Sequence, residues 1–184
     1  MPYSAVAEGI DKVCTPATEG TGMHNVAYLA RFADETGAFG SWQPSSPTLE
    51  ERAQSGSAFH GDDFLTVREG VALFTATVVH RSGTSPRTQT EAWCFVGGQL
   101  ARATVDAIDP DVSGEWRHTQ YFNRDTDKPA YERLQAIDVQ HPGAPVPRPS
   151  ADGITLTRPK TPADLPFYAA YESAFGPKLS TPKP

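Results

Sequence analysis

Residues 19–39 constrain the fold of this chain more than any other stretch. Glycines precede residues 23–36, and no glycine or proline interrupts that run. Within it, apolar residues recur at the i, i+3, i+4 and i+7 spacing of an amphipathic helix. These residues are Val26, Leu29, Ala30 and Ala33. The stretch predicts a long helix whose free N-terminal N–H groups hold an anion or polarise a carbonyl. The alternative is a buried helix with a solvated cap.

From residue 57 onward the hydrophobic period changes from helical spacing to two, which is typical of strands. Four such runs are rich in valine, threonine, phenylalanine and leucine. They are FLTVR (64–68), VALFTATVVHR (71–81), TQTEAWCFV (88–96) and QLARATVDAID (99–109). Glu69-Gly70 and Gly97-Gly98 are placed between runs as tight hairpin turns would be. One helix followed by an antiparallel meander predicts an α+β domain.

The flanking segments give four further predictions of secondary structure and one of a last helix. Residues 10–14 read as a first strand, residues 117–122 as a further strand, and 48–56 and 128–137 as short helices. Aromatic residues at helical spacing predict a last helix that docks on an apolar surface. They are Phe167, Tyr168, Tyr171 and Phe175. The proline-rich residues 141–149 suggest a division into a domain of residues 1–140 and a linker and tail of residues 141–184.

Composition narrows the range of partners. The net charge of −6 argues against a nucleic-acid surface. No apolar run has the length of a membrane span, and no secretory leader is visible, so we expect a cytoplasmic protein without a membrane partner. Cys14 and Cys94 do not have a metal or redox spacing, and we interpret them as small buried residues rather than a disulfide.

The segment GMHNVAYLARFADETGAF (22–39) resembles the signature of the hydroxybenzoyl-CoA and YbgC-type acyl-CoA thioesterases of the hotdog superfamily. The matching residues are Gly22, His24, Asn25, Tyr28, Leu29, Phe32, Asp34 and Glu35. Residues 75–114 are similar to the last strands of those proteins. The resemblance implies a hotdog fold, in which a curved antiparallel sheet wraps a long central helix, here with a C-terminal extension.

The resemblance also implies a function and a site. The expected activity is thioester hydrolysis of acyl-CoA or an acyl carrier protein by a homodimer or homotetramer, without a cofactor or a metal. Glu19 occupies the offset of the family's catalytic aspartate, with His24 and Asn25 beside it as further catalytic candidates. The implied substrate-binding residues are Val26, Tyr28, Arg81, Ser85 and Arg87. A related hotdog arrangement would place the carboxylate at Asp34 or Glu35 instead.

Two alternatives stay open. The strands also look like the end of the cone-shaped barrel of the SnoaL-like polyketide cyclases and ketosteroid isomerases. That similarity implies a cyclase, isomerase or dehydratase that abstracts a proton with Asp106, Asp109 or His60. The third interpretation is a hotdog module that binds without catalysis. His60 beside Asp62 and Asp63 is a poor metal signal, because adjacent carboxylates at a strand start are common.

Overall fold

The computed structural model describes residues 3–15, 23–46, 61–82, 88–109, 114–123, 128–138 and 156–175. Its elements, in chain order, are α1 (Tyr3–Cys14), β1 (Met23–Phe32), β2 (Gln43–Pro44), β3 (Gly61–Gly70), β4 (Leu73–Ser82), β5 (Thr88–Val96), β6 (Gln99–Asp109), β7 (Gly114–Phe122), β8 (Pro129–Asp138), a 3-10 turn (Pro162–Asp164) and α2 (Tyr168–Phe175). Neither described helix has the length and apolar character that crossing a bilayer would require.

The eight strands form one antiparallel sheet in the order β2-β1-β3-β4-β5-β6-β7-β8. From β3 to β8 each strand pairs with the next one along the chain, so this part of the sheet is a meander. The turn between β5 and β6 consists of Gly97 and Gly98, whose φ angles are 60° and 80°. Glycine suits both positions because it reaches positive φ without a steric cost, and the predicted hairpin is confirmed.

The predicted long helix is wrong, and with it the hotdog fold. Residues 23–32 form β1, which pairs with β3 from Met23↔Gly70 to Phe32↔Asp62, and the two described helices have only 12 and 8 residues. The strand carries apolar residues on both faces, since Leu29 and Ala30 are each 1% exposed. Apolar residues on both faces of a strand imitate helical spacing, and pairing along the whole of β3 decides the outcome.

Two further sequence predictions are wrong. Residues 10–14 belong to helix α1, in which Ala7 and Cys14 are buried, a spacing of two helical turns. Residues 128–137 fall in strand β8, where Pro129 occupies the first position and needs no ladder hydrogen bond of its own. The four period-two runs and the strand at 117–122 are confirmed as β3 to β7. The predicted helix at 48–56 and the linker at 141–149 lie outside the described residues.

One face of the sheet, which we call the apolar face, forms the hydrophobic core. Alternate residues of β1, β3, β4, β5 and β6 supply it, because every second side chain of a strand points to the same side. They are Ala27, Leu29, Leu65, Val67, Phe74, Ala76, Val78, Trp93, Phe95 and Ala103. Residues 156–175, the C-terminal segment, cover this face with Leu165, Phe167 and Tyr171, so the predicted docking of a last aromatic helix is confirmed.

Hydrogen bonds fix the C-terminal segment to the apolar face. The indole N–H of Trp93 donates to the carbonyl of Thr157 at 3.0 Å, and the Tyr171 hydroxyl donates to Glu69 at 2.5 Å. The rings of Trp93 and Phe167 pack 5.8 Å apart. The core is therefore closed by residues far along the chain, and the opposite face of the sheet is left for helix α1.

Candidate binding groove on the threonine face

The other side of the sheet, which we call the threonine face, is built from cross-strand rows of polar residues. Register places side chains of successive strands beside one another on the same face. One row runs Tyr28, Thr66, Thr77, Ala92, Thr104, Thr119 and Arg133. A second runs Val26, Arg68, Thr75, Cys94, Arg102, Tyr121 and Tyr131. A third row is polar only from β5 to β8, where it runs Thr90, Asp106, Arg117 and Gln135; its earlier members are the apolar Ala30, Phe64 and Val79.

The sequence favours strands here because threonine is β-branched and tyrosine aromatic, and both fit a pleated surface. Threonine also presents a hydroxyl on an otherwise apolar strand, as Thr75 and Thr77 do between the buried residues of β4. The same strands thus bury one face in the core and offer hydroxyl and guanidinium groups on the other.

Helix α1 lies against the threonine face and is bonded to it covalently. Cys14 and Cys94 form a disulfide with a Cα–Cα distance of 5.8 Å and a sequence separation of 80 residues. The prediction that both cysteines are unpaired is wrong, because β5 carries Cys94 on the face where α1 ends. Both residues are buried, with exposed fractions of 3% and 1%.

A polar groove opens beside the end of α1. The cavity has a volume of about 430 Å³, within the usual range of small-molecule sites. Its lining comes from α1 and from strands β5 to β8. The residues are Asp11, Thr15, Thr90, Ala92, Arg102, Thr104, Asp106, Arg117, Thr119, Tyr121, Arg133 and Gln135. A second cavity of about 280 Å³ continues over Thr66, Arg68, Thr75 and Thr77 and shares Arg102 with the first.

One wall of the groove is an ion pair. Arg117 donates two hydrogen bonds to Oδ2 of Asp106, at 2.6 and 3.1 Å, and a longer one of 3.4 Å to Glu115. Burial and the neighbouring Asp106 carboxylate raise the pKa of Glu115 despite the positive charge of Arg117. Oδ1 of Asp106 is buried and has no hydrogen-bond partner among the described residues.

The opposite wall is the contact between α1 and the sheet. Arg102 donates to Oδ1 of Asp11 at 2.7 Å, and the Tyr121 hydroxyl donates to Oδ2 of the same carboxylate at 2.9 Å. Burial, the hydrogen bond to Asp11 and the charge of Asp11 raise the pKa of Tyr121 to about 12. Tyr121 is therefore a neutral hydrogen-bond donor at physiological pH.

The site residues implied by the resemblance do not form this groove. Glu19, Ser85 and Arg87 lie outside the described residues. His24 and Asn25 belong to strand β1, so the oxyanion site expected from a helix start at these positions does not exist.

Two other predicted substrate-binding residues, Val26 and Tyr28, lie at the β1 ends of two threonine-face rows. Arg81 is committed elsewhere. It bonds Asp62 at 2.9 Å and lies over the ring of Phe64. Asp34, the carboxylate of the second hotdog arrangement, accepts hydrogen bonds from Thr36 and Ala38 in a turn after β1, and Glu35 is exposed in that turn.

Of the residues implied by the cyclase-like alternative, only Asp106 lines the groove. His60 lies outside the described residues, and Asp109 ends strand β6. Within the described part of the chain, no group of three His, Cys, Asp or Glu residues is arranged to hold a metal ion.

A second polar cluster lies on the apolar face at the β3–β5 end of the core. His80 bonds the buried Asp63 at 2.7 Å and Glu91 at 2.9 Å, and Arg31 donates to Asp63 at 2.6 Å. The Arg31 guanidinium also lies 4.7 Å from the ring centroids of Phe39 and Trp42. These groups satisfy one another, so we interpret the cluster as structural.

The groove residues had a detectable signal in the sequence. In β6 every second residue is polar (Arg102, Thr104, Asp106), and the same holds in β7 for Arg117, Thr119 and Tyr121. That alternation indicates one polar face on neighbouring strands. The role of α1 had no such signal, because its contact with the sheet spans some 90 residues of sequence, as the Arg102–Asp11 separation of 91 shows.

Comparison with models of known protein families, with curated proteins and with solved structures finds no match. The groove's own chemistry is therefore the basis for a functional proposal.

Proposed function

We propose that the groove binds a small polyhydroxylated acid, such as a sugar acid. The observation that carries this proposal is the convergence of three arginine side chains, the Asp106 carboxylate and several threonine hydroxyls in one polar cavity. The proposed function is binding without catalysis. The charged groups of the two walls determine which chemical groups the ligand must carry.

Charge in the groove favours an anion. Three arginines and two aspartates line the cavity, although the chain as a whole has a net charge of −6. Arg102 and Arg117 each have an aspartate partner, whereas Arg133 makes no ion pair among the described residues. Guanidinium groups bind carboxylates through paired hydrogen bonds. Arg133 is thus the cation best placed to receive a ligand carboxylate.

Asp106 sets the second requirement. The Asp106 carboxylate lines the cavity, and a ligand hydroxyl would donate a hydrogen bond to it. Thr90, Thr104 and Thr119 add hydroxyl groups that can donate or accept. A molecule with one acidic group and several hydroxyls meets all of these demands.

Titration calorimetry with D-glucuronate, and with glucose as the neutral comparison, tests the proposal. We expect glucuronate to bind and glucose to bind at least tenfold more weakly, because a hydrogen bond to a charged group contributes about 1.5–3 kcal/mol. Arg133→Met should weaken glucuronate binding about tenfold, and Asp106→Asn should weaken it as well. Arg158→Met is the control, since Arg158 bonds Gln120 away from the groove. Equal binding of both sugars, or no effect of Arg133→Met, would contradict the proposal.

A second candidate function is proton abstraction by Asp106, the base implied by the cyclase-like alternative. It is supported by the position of Asp106 in the lining of the cavity. Magnetic resonance in D₂O would detect exchange of carbon-bound protons of bound glucuronate, and Asp106→Asn should abolish the exchange. Binding without exchange would leave the groove as a binding site only.

Thioester hydrolysis by a homo-oligomer remains a prediction from the resemblance, and an assay against a panel of acyl-CoAs would test it. The helix-start oxyanion site cannot be part of that activity, because residues 23–32 are a strand. The compartment is a separate question. Disulfides persist in oxidising environments, so Cys14–Cys94 favours such an environment over the cytoplasm expected from the sequence.

A further inference from the structure

Helix α1 is held on the sheet by a covalent bond and polar contacts more than by apolar burial. Of its described residues, only Ala7 and Cys14 are buried, whereas Val6 and Val13 are 40% and 47% exposed. A helix of 12 residues is marginal in water without tertiary support. The disulfide and the contacts of Asp11 therefore provide most of what keeps α1 in place.

Asp11 occupies a position that suits an external anion. Its two carboxylate oxygens accept hydrogen bonds from different donors of the sheet, Arg102 at 2.7 Å and Tyr121 at 2.9 Å. A guanidinium and a phenol hydroxyl converging on one carboxylate form a complete anion-binding pair. Arg102 also donates to the Cys14 carbonyl at 3.5 Å, so the same residue contacts both the carboxylate and the disulfide end of α1.

We propose that Arg102 and Tyr121 form an anion subsite of the groove which Asp11 fills while the Cys14–Cys94 disulfide is intact, and which opens to a ligand carboxylate when the disulfide is reduced and α1 is released. The choice of a carboxylate ligand rests on the proposed function. The opening of the subsite rests only on the contacts of α1.

The redox step needs a dithiol reductant. One thiolate of the dithiol attacks one sulfur of the disulfide, which breaks the Cys14–Cys94 bond, forms a mixed disulfide and releases the other cysteine as a thiolate. The second thiolate of the dithiol then attacks the mixed disulfide and releases the remaining cysteine as a thiolate. The dithiol is thereby oxidised to a disulfide by loss of two electrons, and the two cysteine thiolates take up the two protons that the dithiol lost. Because both sulfurs are buried, the attack requires the end of α1 to open first, so reduction should be slower than for an exposed disulfide.

Release of α1 is favoured because the reduced helix keeps few contacts that compensate the entropy of ordering it. Asp11 regains full hydration in the released chain, and Arg102 and Tyr121 become available to the ligand. The ligand carboxylate that Arg133 receives then also accepts hydrogen bonds from Arg102 and Tyr121 in the place of Asp11. Arg133 is near these donors, because it lies two residues from Tyr131, which pairs with Tyr121. Reduction therefore raises affinity by removing an internal competitor.

Glucuronate titration of the oxidised protein, the dithiothreitol-reduced protein and the Cys14→Ser/Cys94→Ser variant tests the ligand side. We expect the reduced protein and the double variant to bind about tenfold more tightly than the oxidised protein, the effect of one charge-assisted contact. Asp11→Ala should show a similar gain with the disulfide intact, since it vacates the donors without unfolding α1. Equal affinity in both redox states would overturn the proposal, and so would unchanged affinity in Asp11→Ala.

Three measurements without ligand test whether α1 is released on reduction. Hydrogen exchange of the α1 amides and phenylglyoxal modification of Arg102 should both be slow in the oxidised protein and fast after reduction. The ionisation of Tyr121, followed by absorbance with Tyr121→Phe as the reference, should move toward a lower pKa once Asp11 leaves. If these readouts change while glucuronate binds neither form, only the proposed function fails. If α1 stays protected after reduction, the subsite does not open and this inference fails.

Discussion

The imidazole of His80 on β4 lies between the carboxylates of Asp63 on β3 and Glu91 on β5, so its hydrogen bonds link three neighbouring strands. Burial lowers the pKa of His80, but the hydrogen bonds and charges of Asp63 and Glu91 outweigh burial and raise the pKa to about 9. Asp63 also receives a hydrogen bond from Arg31 on β1. A protonated His80 leaves the four groups with balanced charge, while a neutral His80 leaves one carboxylate in excess.

This arrangement predicts a pH dependence of folding. The folded pKa of about 9 exceeds the ordinary value of 6.5, so the folded state holds the proton more tightly than the unfolded chain. The contribution of His80 to the free energy of unfolding is therefore complete below about pH 6.5 and is lost as the pH rises through 9. Urea unfolding at pH 6, 7.5 and 9 measures this change. In His80→Gln the fall between pH 6 and 9 should shrink, and an identical fall in that variant would contradict the prediction.

At this scale the sequence identified Asp106 and little else of the groove. The sequence indicates Asp106 only as one of three possible bases of a cyclase-like site, and it does not distinguish Arg102, Arg117, Tyr121 or Arg133 as groove residues. Polar alternation on β6 and β7 groups Arg102, Arg117 and Tyr121 with Asp106 on one face, whereas Arg133 lies on β8. Strand register determines how many cations line the groove and which of them contact α1, and local sequence patterns do not determine the register.

The C-terminal segment acts as the second layer of the core. Phe167 is 2% exposed, and its ring packs against Trp42 and Trp93. Leu165 and Tyr171 are buried on the same side. The sheet alone would expose this apolar face to water, so the segment is part of the folded unit formed by the strands.

Phe167→Ala should lower the free energy of unfolding by about 3–5 kcal/mol, because it removes a large buried ring and leaves a cavity. Glu172→Gln on α2 is the control, since Glu172 is exposed and its change should be within about 0.5 kcal/mol. Chemical denaturation of both variants makes the comparison. Similar stability of the two variants would show that the segment does not close the core.

Element types were predictable where one pattern prevailed. Strands β3 to β7 follow from β-branched residues in alternation, and α2 follows from aromatic spacing. The helix prediction for residues 23–32 is wrong because Leu29 is buried on one face of the strand and Ala30 on the other, which imitates helical spacing. The helix prediction for residues 128–137 is wrong because these residues include good helix formers such as Glu132 and Leu134. They lie on β8 at the edge of the sheet, where pairing with β7 overrides their helix propensity.

For the whole molecule, the disulfide links the first helix to the middle of the sheet across a loop of 80 residues. Such a link restricts the unfolded chain, and its loss typically lowers stability by about 2–4 kcal/mol. We expect the reduced protein to unfold at correspondingly lower urea concentration than the oxidised protein. Dithiothreitol should not change the unfolding of Cys14→Ser/Cys94→Ser, and equal stability of the two redox forms of the wild type would contradict this expectation.

The position of the C-terminal segment has a consequence during translation. Residues 156–175 are synthesised after all eight strands, yet they cover the apolar face that those strands build. A nascent chain that has completed the sheet therefore exposes the apolar face to water until the C-terminal segment leaves the ribosome. Prematurely terminated chains would keep that surface permanently, and they should be the species that chaperones retain and proteases remove.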